Sequence, residues 1–375
     1  MELYTSKEGC CGCGACMAAC PAAAIHMVWD REGFLYPRVD QEKCIDCKRC
    51  EKVCPLKQEE QTEQERLYLG VQARDDAVRH TSSSGGMFQI LAEYVFRRQG
   101  VVFGAAYTED MRVVHREARD REGLARLKRT KYVQSNLRGV YQRIEAYLKK
   151  DRWVLFCGTP CQAHALRLYL NQSYDKLLTA DLVCYGVPSP GIWKSYVRYL
   201  EHKKRGKMTD FSFRDKRNRD NGHVCSYVID GSEYAEELNR NFYCRMYFAD
   251  DTVRPSCYNC KYCVPERGSD FTIGDFWGIE KVKPEMDDGM GTSMVIVHTE
   301  KGKKVWNAVK GETAWFACKK EEVLQPRLLT PTAVAKNRGY FMMLYRMLPF
   351  PVFAKLFLLS SAVEGILRRV RRCNG

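Results

Sequence analysis

Two copies of one cysteine spacing, Cys10-x2-Cys13-x2-Cys16-x3-Cys20-Pro21 and Cys44-x2-Cys47-x2-Cys50-x3-Cys54-Pro55, occupy the first 55 residues. Three thiolates two residues apart close a tight loop around one face of an iron–sulfur cubane. The fourth, followed by proline, reaches across to the neighbouring cluster. Cys10, Cys13, Cys16 and Cys54 are therefore expected to hold one [4Fe–4S] cluster, and Cys44, Cys47, Cys50 and Cys20 the other. Two cubanes held this way pass single electrons. Zinc explains the pattern less well, because a tetrahedral ion takes two cysteine pairs and leaves the third and fourth cysteines of each copy surplus. Met1 leads into a polar stretch, Glu2 to Glu8, with no signal-peptide pattern, so disulfides are not expected and the thiols are read as lying in a reducing, cytoplasmic compartment. Cys11 is expected to pack beside the cluster.

With 375 residues, 45% of them apolar and 28% charged, the chain has material for a buried core well beyond this small ferredoxin-like module. It carries 19 cysteines. The two copies use eight of them, so further metal chemistry is expected downstream. The formal charge of +14 raises the question of nucleic acid. That count treats thiols as neutral, and each oxidised cubane with four thiolates contributes about −2. No aromatic-interleaved RNA-binding signature or helix-turn-helix pattern accompanies the charge, so nucleic acid is not expected as a partner. Acidic ferredoxins, anionic cofactors or an anionic membrane face suit the surface as well.

The polar run Leu56 to Arg66 reads as a linker or solvated helix between residues 1–55 and the rest of the chain. Beyond it, β-rich runs (Leu67 to Val71, Val101 to Tyr107, Trp153 to Phe156, Leu177 to Cys184) alternate with helical patterns (Met87 to Arg98, Cys161 to Leu170). That alternation predicts an α/β architecture with α+β elements and parallel strand pairs. Phe211 to Cys263 reads as inserted β structure with few clean helices. A segment at 336–375, apolar from Tyr340 and basic at Arg368 to Arg372, predicts a packed helical hairpin. Its alternative is a peripheral contact with the inner membrane face.

Downstream cysteines at Cys157, Cys161, Cys184, Cys257, Cys260 and Cys263 form no closed spacing alone. Cys161 and Cys184 each follow a predicted strand, where α/β folds build their sites. A third cubane on Cys161, Cys184, Cys257 and Cys260 is expected, with Cys157 and Cys263 as substitutes, against readings as a zinc site or packed thiols. Cys225, Cys244, Cys318 and Cys373 show no ligand spacing. Cubanes handle one electron at a time, so organic two-electron chemistry calls for a flavin beside them. Ser82-Ser83-Ser84-Gly85-Gly86 precedes a helical run and suits phosphates at a helix N-terminus, or serves merely as a cap. No GxGxxG follows the first strand, which argues against an ordinary Rossmann site.

Several phrases together carry a resemblance: Ser83-Ser84-Gly85-Gly86, Lys131-Tyr132-Val133-Gln134-Ser135, Gly158-Thr159-Pro160-Cys161-Gln162 and Cys184-Tyr185-Gly186-Val187-Pro188-Ser189-Pro190. Phe213-Arg214-Asp215-Lys216, Arg254-Pro255-Ser256-Cys257-Tyr258-Asn259-Cys260 and Ser269 to Gly278 extend it. Over roughly residues 3 to 340 the chain resembles the coenzyme F420 hydrogenase/dehydrogenase beta-subunit family with an N-terminal two-cluster ferredoxin domain, which implies a larger domain with an N-terminal part at 67–150 and a C-terminal part at 151–335. It is most similar to bacterial members found among polysaccharide-synthesis genes. The resemblance implies an iron–sulfur flavoprotein oxidoreductase in which FAD mediates between cubanes and F420, another small molecule or a glycan precursor.

Carried onto this sequence, the resemblance implies flavin contacts from Ser84, Gly85, Gly86, Gly158, Thr159 and Pro160. Arg214 and Lys216 would neutralise a phosphate or substrate carboxylate, or else lie on a solvated charged loop, and Asp275 would orient a ligand hydroxyl or cap the turn after Gly274. Lys131 would face the isoalloxazine or its substrate, and it and Arg214 are the catalytic candidates. Tyr185 stands where many relatives carry histidine, so a proton-transfer role is not carried over there. The expected partner is a ferredoxin or another oxidoreductase subunit. Two other classes stay open: an electron-transfer subunit that docks on a partner without its own substrate site, and a zinc-and-thiol scaffold binding nucleic acid.

Overall fold

A computed structural model describes residues 2–63, 65–216 and 224–358. The N-terminal part is built from β1 (Ile25–Trp29) and β2 (Leu35–Val39), an antiparallel pair, with one-turn helices at Ala15–Ala18 and Arg49–Lys52. Each short helix carries one cysteine of a repeat, Cys16 or Cys50, so the helices belong to the ligand loops rather than to an apolar core.

The body is a mixed eight-stranded sheet. Its strands are β3 (Leu67–Ala73), β4 (Val101–Tyr107), β5 (Val113–Ala118), β6 (Val154–Gly158) and β7 (Leu177–Leu182), and later β11, β12 and β13. Between these groups β8 (Met208–Asp215), β9 (Val224–Ile229) and β10 (Ser232–Glu237) form a separate antiparallel sheet. The main sheet closes with β11 (Phe271–Asp275), β12 (Ser293–Val297) and β13 (Thr313–Ala317), in the order β13-β3-β12-β11-β7-β6-β4-β5. The four central strands β11, β7, β6 and β4 run parallel, as their continuous apolar sequences require of strands covered on both faces. The outer pairings are antiparallel. The α/β reading with parallel pairs therefore holds for the centre of the sheet.

Helices cover both faces. Met87–Phe96 buries Met87, Ile90, Leu91, Tyr94 and Val95, the one-sided spacing of an amphipathic helix. Pro160–Leu170 starts on a Thr159/Gln162 capping box with proline in its first turn. Pro190–Lys204 starts on Ser189, whose hydroxyl accepts from the Ile192 amide, and ends in lysines that suit its negative pole. Against this last helix the smaller sheet packs an aromatic cluster, with Trp193 5.1 Å from Phe211 and 5.0 Å from Tyr243 between ring centres.

Three expectations are sharpened or corrected. The run Leu56 to Arg66 forms no helix over its described residues. It is a strap pinned to the body: Glu60 accepts from Arg167, Gln58 from Lys261, and a Glu63 carboxylate oxygen from the Glu300 amide at 3.0 Å. The region read as β structure holds a helix, Phe242–Phe248, capped by Asn241 and buried through Tyr243, Cys244 and Met246. Its aromatic composition hides the helical period. Cys157 points into the main apolar core and lines none of the recesses that the other cysteines surround, so it is no substitute ligand.

The C-terminal helices, Arg338–Met347 and 350–358, bury Phe341, Met342, Phe353 and Ala354 against the aromatic cluster, as the packed hairpin requires. Arg368 to Arg372 and Cys373 lie outside the described residues. Among the described residues no helix is long and apolar enough to cross a membrane.

Candidate functional site

Fourteen of the described cysteines surround three recesses. Cys10, Cys13, Cys16 and Cys54 line one of about 440 Å³, together with Cys11 and Cys50. Cys20, Cys44, Cys47 and Cys50 line a second of about 350 Å³. The third, of about 550 Å³, is lined by Cys161, Cys184, Cys257, Cys260, Cys263 and Cys11. Cys50 thus borders the two N-terminal recesses, and Cys11 borders the first and the third. The recesses form a series: distal, proximal, inner. Among the described residues no three Cys, His, Asp or Glu side chains are drawn together tightly enough for a single metal ion.

The inner recess is assembled from segments far apart in sequence. Cys161 sits in the first turn of the helix that follows β6, and Cys184 follows the end of β7, so the two parallel strands deliver them to the same edge of the sheet. Cys257 lies in a short 3-10 turn, Pro255–Asn259, and Cys260 just beyond it. Gly186, at φ +97°, lets these loops close, because a Cβ there would stand 2.6 Å from a Val253 methyl and 3.2 Å from the Cys257 Cβ. The Tyr262 hydroxyl donates to the Pro55 carbonyl at 3.0 Å and lies 2.7 Å from His164 Nδ1, tying the inner cysteine loop to the end of the second repeat. The buried pair Arg267–Asp181, at 2.7 Å, closes the wall behind Cys263.

The donor sets suit iron–sulfur clusters. Burial pushes Cys257 and Cys16 up to about 12 and raises Cys184 well above the usual thiol range, while Cys161 is raised first by its hydrogen bond with Cys11 and then by burial. Cys260 alone is drawn down, to about 7, by a hydrogen bond from Cys263. Crowded buried thiols of this kind become thiolates together only when iron supplies the positive charge. The Ala24 amide already donates to the Cys20 sulfur at 3.3 Å.

The residues expected around a flavin fall into two groups. Ser84, Arg214, Lys216 and Asp275 converge beside the ends of β8 and β11. Arg214 pairs with Asp275 at 2.7 Å, and the Ser84 hydroxyl donates to the Thr292 carbonyl at 3.0 Å. Lys216 Nζ donates to the carbonyls of Arg79, Ser84 and Met290 at 3.0, 2.7 and 2.6 Å, and burial lowers it to about 8. These contacts use all three of its N–H donors inside the protein. Lys131 Nζ donates to the Arg126 and Lys128 carbonyls; burial first, then neighbouring Arg129, lowers it to about 7. Gly85 and Gly86 have packing reasons of their own, with Gly86 at φ +98° before the Met87–Phe96 helix. Gly158, Thr159 and Pro160 form the second group: Gly158 ends β6, and the other two line the inner recess. Tyr185 lies 5.5 Å from Trp277 between ring centres.

Sequence reasoning places Cys11 beside a cluster and names Cys263 as a substitute ligand, and both line the inner recess; it carries Arg254 only within the motif around Cys257 and Cys260 and assigns it no role. The signal for Arg254 was its place three residues before Cys257.

Comparison with known proteins matches two stretches of the chain to family models. A family model described as 4Fe-4S dicluster domain matches residues 9–57. A second, described as the C terminus of the coenzyme F420 hydrogenase/dehydrogenase beta subunit, matches residues 151–321. Residues 151–321 are similar to that family. The F subunit of the F420H2 dehydrogenase of Methanosarcina mazei is 27% identical over 188 residues, 47% of this chain. The match spans 53% of that relative, about half its length. An uncharacterised ferredoxin of Methanocaldococcus jannaschii is 36% identical over 55 residues, covering 15% of this chain and 70% of the ferredoxin. A chain of the F420-reducing [NiFe] hydrogenase complex from Methanosarcina barkeri aligns with TM-score 0.44 and 16% identity, over 71% of this chain and 85% of that one.

Proposed function

We propose that this chain is an iron–sulfur oxidoreductase subunit in which three [4Fe–4S] clusters in series connect a ferredoxin-type port to a flavin site. Cys20, Cys44, Cys47 and Cys50 hold the distal cluster, Cys10, Cys13, Cys16 and Cys54 the proximal one, and Cys161, Cys184, Cys257 and Cys260 the inner one. The observation that carries this reading is the sharing of walls: Cys50 between the distal and proximal recesses, Cys11 between the proximal and inner ones. Electrons entering at one end then have a continuous path from recess to recess.

The path points toward the Ser84, Arg214, Lys216 and Asp275 group. β7 and β11 run parallel with Leu182 beside Ile273, so Cys184 and Asp275 leave the sheet as neighbours. A bound FAD exchanges electron pairs with an organic substrate and single electrons with a cubane. Arg214 is suited to a substrate carboxylate or phosphate. Lys131, lowered to about 7, is suited to holding or releasing a proton near neutral pH. The substrate is F420 or another small molecule or glycan precursor, and the partner a ferredoxin or a further oxidoreductase subunit.

A second reading has its own support. Lys216 spends its donors on backbone carbonyls, and Gly85 packs against β3 and β12, so this group is knit together without a phosphate. In that reading the chain relays electrons to a partner that holds the flavin. Anaerobic purification with iron, sulfide and flavin assays separates the two. Three clusters give about twelve iron atoms, and Cys161→Ser or Cys257→Ser removes about four of them. One FAD per chain supports the enzyme. Flavin-free protein with the same iron content leaves the relay, and about eight iron atoms with no loss in either variant sinks the inner site.

A further inference from the structure

We propose that Arg254 sets the reduction potential of the proximal cluster, holding it above that of the distal one. The proposal rests on the reading that Cys10, Cys13, Cys16 and Cys54 carry a cluster. Arg254 is fully buried, and its guanidinium is aimed at the proximal ligand loop. Nε donates to the Cys10 carbonyl at 2.7 Å, Nη2 to the Leu35 carbonyl at 3.0 Å and to the Cys10 sulfur at 3.6 Å, and Nη1 to Gln134 Oε1 at 3.0 Å. The cation also stands 4.1 Å from the centre of the Tyr36 ring. Gly12, at φ +69°, leaves room for it; a Cβ there would lie 2.6 Å from Nη1.

Among the described residues no carboxylate forms an ion pair with this guanidinium. A buried cation left without a counter-charge is strongly disfavoured. The negative charge it faces is that of the proximal thiolates and the cluster they bind. One-electron reduction adds a further negative charge to that assembly. A fixed cation hydrogen-bonded to one of its sulfurs favours the reduced form, because hydrogen bonds to sulfur and local charge are levers that set cluster potentials. At the distal site the Cys20 sulfur receives an uncharged donor, the Ala24 amide. An electron arriving at the distal cluster therefore runs downhill to the proximal one.

A purely structural role is the competing account, since the Arg254 amide also donates to the Val187 carbonyl at 3.0 Å and its side chain joins the N-terminal loops to the body. The test is an anaerobic redox titration of the whole iron-loaded protein with dithionite, followed by electron paramagnetic resonance. The proximal signal is identified as the one lost in Cys16→Ser. Arg254→Gln is expected to shift the proximal reduction equilibrium at least tenfold toward the oxidised form, a fall of about 59 mV for one electron. Arg254→Lys keeps the charge and moves it less. Gln134→Glu places a carboxylate on Nη1 without removing the arginine, so it lowers the same potential even where Arg254→Gln fails to assemble. The distal potential stays unchanged in all three. An unchanged proximal potential in Gln134→Glu, with thermal stability falling instead, overturns the proposal. Wild-type protein holding fewer than about eight iron atoms overturns the cluster reading beneath it.

Discussion

At Gly85 an ideal Cβ would stand 2.3 Å from the Val71 carbonyl oxygen and 2.6 Å from the Ser293 amide nitrogen. Both are backbone atoms of strands inside the main sheet, so neither gives way. Gly85→Ala is expected to cost about 1–3 kcal/mol, the range of overpacking, read as a lower urea midpoint. Gly158→Ala meets a side-chain oxygen of Gln162 and the Phe156 ring edge at 2.9 Å, groups that can turn, and should cost less. Three buried histidines make a separate prediction about acid. Burial lowers His115 to about 4, and His164 and His298 to about 3. In the unfolded chain these rings titrate near pH 6.5. As pH falls from about 6.5 toward 4, the unfolded state gains protons that the folded state refuses. Stability then drops by about 1.4 kcal/mol per pH unit for each ring, and it is level above about pH 7.5. Urea midpoints at pH 5 and 7 should show this dependence, and His115→Gln should remove one ring's share of it.

At the scale of elements, what was legible depended on how local the encoding is. The eight cysteines of the two repeats could be grouped by spacing alone, because three of each recess's four come from one tight loop and the fourth is marked by the proline that follows it. The inner recess draws on residues 161, 184, 257 and 260, so spacing gave only candidates, Cys263 among them, and the wall that Cys11 shares with this recess emerged with the folded chain. Strands β4 and β6 could be read from their apolar runs. The place of β3 between β12 and β13 could not, because those partners lie more than 200 residues away. The pinning of the strap was not legible for a related reason: its polar residues find their partners on distant surfaces. Glu60, mostly buried beside Arg167, is its main anchor. Glu60→Ala should cost about 2 kcal/mol, below the cost of a fully buried pair, and should speed tryptic cutting after Lys57.

At the scale of the whole molecule, residues 1–55 bury only a handful of large apolar side chains, among them Ile25, Phe34, Tyr36 and Val53. A segment that small relies on metal for its order. Stripping iron with an oxidant and chelator should therefore abolish hydrogen-exchange protection across residues 9–57, while β6, β7 and β12 keep theirs.

The N-terminal part meets the body backbone to backbone. The Gly191 amide donates to the Gly33 carbonyl at 2.9 Å, and the Ser189 hydroxyl donates to the Glu32 carbonyl at 2.6 Å. A Cβ on Gly33 would stand 2.6 Å from the Gly191 Cα, so no side chain fits between the two surfaces. Where a ferredoxin and its acceptor are separate molecules, each electron waits for a collision whose frequency depends on viscosity and ionic strength. Under the proposed function that encounter is part of the covalent chain, and internal transfer from the proximal to the inner cluster should be indifferent to added glycerol or salt, leaving only the step onto an outside partner sensitive to both.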